Sequence, residues 1–119
     1  MQKNEEFLCF NDGSASLYRV DNIANPGDKP KEGLVLKVHL HFGEMSVGVQ
    51  RYYQAMEAKV RIDRLIRTPM FRDVSTQDVC VIDGKQYRIL QGQHIKKTRP
   101  PSSVWTLQRL EHDYDFGEL

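Results

Sequence analysis

The sequence predicts a mainly β fold: a small β-barrel of about six strands, with a long loop or short helix between two of them. Three observations carry this. Leu34, Leu36, Val38, Leu40 and Phe42 alternate with Val35, Lys37, His39 and His41, the period-two pattern of a strand with one face on a core. DVCVI (78–82), Asp83-Gly84 and KQYRIL (85–90) have the signature of a β-hairpin, because Asp-Gly supplies the positive φ angles of a type I′ turn. Other short apolar runs follow, separated by polar and turn-forming stretches.

The elements follow in order. SLYRVDNI (16–23) is the expected first strand, ended by the turn Asn25-Pro26-Gly27-Asp28. The alternating run 34–42 is the second. Residues 44–58, EMSVGVQRYYQAMEA, lack clean alternation and read as a short helix or a long excursion between strands. In 57–67, Val60, Ile62 and Ile66 share one strand phase, while Ile62, Leu65 and Ile66 also fit helical spacing. The β-branched residues favour a strand there. Arg64 breaks its apolar phase, and Thr68-Pro69 stops it. The hairpin comes next, then the polar, proline-containing loop Lys96–Ser103, then a last strand, Val104–Leu110.

A length of 119 residues allows one domain. The expected division is an N-terminal arm over 1–15, one β-barrel domain over 16–112 and an acidic tail over 113–119. Glu5 and Glu6 stand where a secretory signal needs basic and then apolar residues, and the apolar stretches are too short to span a membrane. Cys9 and Cys80 make no C-x-x-C pair, and Cys80 reads as a small buried hydrophobe. A cytosolic chain is the expectation.

The net charge of +1 excludes a simple basic DNA-binding protein, yet it hides a segregated pattern. Residues 1–50 hold 5 basic and 7 acidic residues, 51–110 hold 12 and 5, and 111–119 hold none and 4. Such blocks suit charge-complementary contacts, and the plain alternative is a solvated charged face. The run Arg51, Lys59, Arg61, Arg64, Arg67 and Arg72 is interrupted by Glu57 and Asp63, so it makes no continuous nucleic-acid stripe.

Catalytic and cofactor chemistry finds no motif. Phosphate-binding loops, dinucleotide fingerprints, zinc-protease and serine-hydrolase signatures are all missing from the sequence. His39 and His41, two apart on a strand, share a face and could ligate a metal, but a third ligand is not evident and a solvated face is the favoured reading. No catalytic residue, metal site or cofactor is expected. Arg51, Tyr52, Tyr53 and Met56 are the candidate contact residues, since an aromatic-basic excursion has the composition of an interface anchor. The alternative is that Tyr52 or Tyr53 covers the barrel end.

Several stretches together resemble the small head–tail connector proteins of long-tailed phages, also called head closure, head–tail joining or stopper proteins. They are SLYRVDNIANPGDKP (16–30) leading into LVLKVHLHFGE, VGVQRYYQAMEA (47–58), KVRIDRLIRTP (59–69), DVSTQDVCVIDGKQYRIL (73–90) and PPSSVWTLQRLEHDYD (100–115). The most characteristic are the VGVQRYYQA excursion, the IRTP strand end and the hairpin with Asp83, Gly84, Tyr87 and Ile89. The resemblance implies a β-barrel subunit of a homo-oligomeric ring in the virion, present in the host cytoplasm before assembly. It implies portal or adaptor proteins on the head side and a tail-terminator or tail completion protein on the other. DNA passes through the lumen with transient, non-specific contact, and no membrane is involved. A tail completion or other minor virion protein, and an OB-like single-stranded nucleic-acid-binding module, are the alternatives.

Overall fold

The structure, a computed structural model, describes residues 8–45 and 61–117. Seven strands form among them: β1 (Gly13–Asn22), β2 (Glu32–Glu44), β3 (Arg64–Pro69), β4 (Val79–Ile82), β5 (Lys85–Ile95), β6 (Ser102–Arg109) and β7 (Asp115–Phe116). No helix occurs among the described residues. Neighbours run β1–β4–β5–β6–β3–β2, and β1 pairs back onto β2, so six strands follow one another round a ring-like sheet. The mainly β expectation holds. The ring closes unevenly, however: β1 and β2 pair at ten positions, β2 and β3 only at Gly43↔Arg67 and Glu44↔Ile66.

The hairpin between β4 and β5 turns at Asp83 (φ 52°) and Gly84 (φ 77°), the two positive angles a type I′ turn needs. β5 runs to Ile95, five residues beyond the apolar stretch that signals it. Its second half, Gln91–Ile95, continues along β6 after a register shift at Leu90. The polar letters of QGQH hid this part, because Gly92, Gln93 and His94 are exposed although they lie in the ladder.

Alternation in β2 is broken by a bulge. Leu17 pairs with Val38 but Tyr18 pairs with Leu36, which leaves Lys37 as the extra residue. Bulges re-aim side chains. Lys37 stands in the run with His39 and His41 but is mostly buried: its side chain is 15% exposed and its Nζ lies 2.9 Å from Asp78 Oδ2. It also donates to the Asp73 carbonyl at 2.6 Å. Asp78 in turn accepts from the Ser75 amide at 3.0 Å. These bonds fix the loop from β3 to β4 across the sheet, with Phe71 and Val74 packed against the core.

That core gathers Ala15, Leu17, Phe42, Ile66, Cys80, Ile82, Tyr87, Ile89, Trp105 and Leu107 from all six ring strands. Burying each large side chain contributes roughly 1.5–3 kcal/mol before the cost of ordering it. The indole N–H of Trp105 donates to Thr68 Oγ1 at 2.9 Å, so the largest core residue carries no orphaned donor. A second, smaller cluster of Ile62, Leu65 and Val104 lies apart from it. This corrects the phase expected for β3. Ile62 packs with Leu65 rather than sharing a face with Ile66, because Leu65 and Ile66 are both fully buried, one in each cluster. The strand itself begins only at Arg64.

The chain ends are also tied into the sheet. β1 starts at Gly13, inside the expected arm, and the Leu8 amide donates to the Arg99 carbonyl at 2.9 Å. β7 adds to β2 in parallel, Gly33↔Asp115 and Leu34↔Phe116, with Lys31 Nζ 2.8 Å from Asp115. Phe116 meets the Tyr18 ring edge-on at 5.3 Å. Asp115 and Phe116 of the expected tail are therefore strand residues.

Gly92 faces Trp105 so closely that a Cβ there would lie 2.5 Å from the indole ring. Gly92→Ala is expected to cost about 1–3 kcal/mol, read as a lower urea midpoint. Burial pushes the Cys80 thiol up to about 12 from an ordinary value of 9.0. The unfolded thiol ionises first, so its share of stability is full below about pH 9 and is lost as pH rises toward 12. Urea midpoints at about pH 8 and about pH 11 should fall further for the native chain than for Cys80→Ala.

Candidate functional site

β2 and β3 are hydrogen-bonded neighbours, yet residues 45–63 separate them in sequence. A hairpin between antiparallel neighbours normally needs ~2–5 residues, and connections beyond ~12–15 are usually functional. The two ends of this long connection, at Met45 and Asp63, are therefore held where β2 and β3 meet. Its base is the candidate site.

The base is built from strand ends. The Met45 amide donates to the Leu65 carbonyl at 2.9 Å, extending the short β2–β3 ladder by one bond. Arg64, the first residue of β3, forms an ion pair with Glu44, the last of β2. Its guanidinium also lies 5.5 Å from the centre of the Phe42 ring and 5.8 Å from that of Tyr87. The pairing with Glu44 holds Arg64 charged well beyond its ordinary range, against the pull of partial burial. On the returning side, the Asp63 amide donates to the Leu107 carbonyl at 2.9 Å, and Asp63 Oδ2 accepts from the Arg109 amide at 2.6 Å. Arg61 pairs with Asp63 at 3.1 Å. Both roots of the insertion are thus fixed by charge-assisted bonds.

Arg51, Tyr52, Tyr53 and Met56 lie outside the described residues, as does most of the expected helix or loop over 44–58. The structure brings Asp83 and Gly84 to an exposed turn, remote in sequence from the insertion. Arg64 is the functional candidate that sequence reasoning passed over. Its signal was present as the basic residue that interrupts an apolar phase.

Other arrangements were weighed by their chemistry. His94 Nδ1 lies 2.7 Å from Ser103 Oγ, a spacing that suits a nucleophile and its base. Ser103 is fully buried and its hydroxyl accepts from the Phe71 amide at 3.1 Å, so no substrate can reach it. Among the described residues, no three His, Cys, Asp or Glu side chains gather to hold a metal ion. The basic block is partly spent within the chain: Arg64 pairs with Glu44, Arg61 with Asp63, and Arg109 with Asp113 at 2.9 Å. No protein-family model matches the chain, and no curated protein does.

Arg64→Lys should lower stability by about 1–2 kcal/mol, because a single ammonium cannot hold Glu44 and also lie over two rings. Thermal unfolding of this variant beside Glu44→Gln measures it. An unchanged midpoint in both would show that the ion pair does not secure the seam.

Proposed function

We propose that this chain is a structural virion protein of a phage or prophage that joins head to tail. It acts as one subunit of a ring through which DNA passes, with portal or adaptor proteins on one side and a tail protein on the other. It works without catalysis or a cofactor. The observation that carries this reading is the length of the connection 45–63 between two strands that pair directly, with both of its ends tied to the sheet. A ring subunit needs a heterologous contact that closes by rotation, and a connection of this length is long enough to reach a neighbour. The aromatic-basic residues Arg51, Tyr52, Tyr53 and Met56 fall within that insertion and have the composition of contact anchors. The resemblance along residues 16–115 supports the same reading.

A single-stranded nucleic-acid module would use a row of exposed aromatic rings. Among the described residues Phe116 is the exposed large hydrophobic side chain, and its ring is already engaged with Tyr18. The head–tail reading is therefore favoured.

Replacing Tyr52 and Tyr53 with Ala should leave the fold intact and block ring assembly or head–tail joining. Particles made without the protein should appear by electron microscopy as filled, tail-less heads that leak DNA. Normal tailed particles in both experiments would overturn the proposal.

A further inference from the structure

We infer that His39 and His41 form a two-imidazole chelate for a first-row transition-metal dication, taking Cu2+ most tightly and Ni2+ or Zn2+ less so. Both lie in β2 beyond the Lys37 bulge, where alternation is regular, and both are exposed. Two residues apart on a strand, they project from one face about 6.7 Å apart at the backbone. Their cross-strand partners are serines: Ser16 opposite His39 and Ser14 opposite His41. Ser16 Oγ lies 2.5 Å from His39 Nδ1, and Ser14 Oγ lies 3.4 Å from His41 Nδ1.

These serines turn two surface histidines into a braced pair. Each ring is anchored through Nδ1, which leaves Nε2 as the nitrogen open to an external ligand. When a metal binds, Nδ1–H donates to the serine oxygen and the lone pair on Nε2 points outward. Ligating imidazoles commonly use their second nitrogen in this way, and the outer partner fixes ring orientation. Metal–nitrogen bonds of ~2.0–2.1 Å require the two Nε2 atoms to converge, so the rings must tilt toward each other about their Nδ1 contacts when the metal binds. Water fills the remaining positions. The donors are imidazoles without a carboxylate, so Mg2+ and Ca2+ are disfavoured and the order among first-row dications follows ligand strength. The single histidine at 94 has its Nδ1 committed to Ser103 and offers no second imidazole beside it.

The test is calorimetric titration of the full chain with CuCl2, NiCl2, ZnCl2 and MgCl2, each alone. A single Cu2+ site per chain and no heat with Mg2+ are expected. His39→Ala and His41→Ala should each weaken Cu2+ binding by roughly 100-fold, since each removes the intramolecular second contact. Ser16→Ala should weaken it by roughly 10-fold through the lost brace. His94→Ala and His112→Ala should bind as the native chain does. Far-ultraviolet circular dichroism checks that the variants keep the β fold. Failure of the native chain to bind Cu2+, or native affinity in the His39→Ala/His41→Ala double variant, would overturn the inference.

Discussion

The ring depends on its weakest seam. β2 and β3 share two paired positions, and residues 45–63 separate them in sequence. A seam that short would open easily if backbone bonds alone held it. Arg64 closes it from the side. Its guanidinium holds Glu44 across the seam and lies near rings from β2 and β5, so one side chain ties three strands. Arg suits this role because its planar fork can bond a carboxylate and lie over aromatic rings at once. The cost of partly burying a charge is offset by a partner that keeps it ionised.

A second charge does related work at the β2 bulge. The β2 bulge re-aims Lys37 toward Asp78, whose side chain is only 6% exposed, and Asp78 also organises the turn at Ser75. The loop that must travel from β3 past β2 and β1 to reach β4 is thereby fixed in transit. Breaking one partner would leave the other largely out of water, which is costly. The two pairs share a logic. Each places a cation where β2 departs from regular pairing, once at its bulge and once at its end.

How much of this was legible depends on whether a feature is local. The Asp83-Gly84 hairpin was readable because two adjacent residues set the turn, and the β2 run because one face is apolar over nine residues. The phase of β3 was not readable, because Leu65 and Ile66 are buried on opposite faces and period two vanishes where both faces are covered. β7 escaped notice because two residues in a polar stretch carry no period at all, and their pairing partners lie about eighty positions earlier. The burial of Lys37 was not readable because alternation assumes a regular ladder, and a bulge cannot be seen without the opposite strand. At the candidate site, Arg64 was visible as an anomaly, but its meaning needed Glu44, Phe42 and Tyr87 in space.

The fold also changes what the charge blocks can mean for assembly. Asp113 and Asp115, half of the acidic end, are engaged by Arg109 and Lys31. Exposed pairs of this kind contribute little stability, roughly 0–1 kcal/mol each, yet they remove charge that a partner could otherwise use. On the head–tail reading, attraction between the basic middle and acidic end of neighbouring subunits is correspondingly weakened. On the head–tail reading, specificity between subunits must then come chiefly from buried anchors, and the insertion is where the aromatic residues lie. The near-neutral total fits this division. Part of the charge is settled inside the chain, while Arg51, Tyr52 and Tyr53 fall in the sequence of the long connection between β2 and β3.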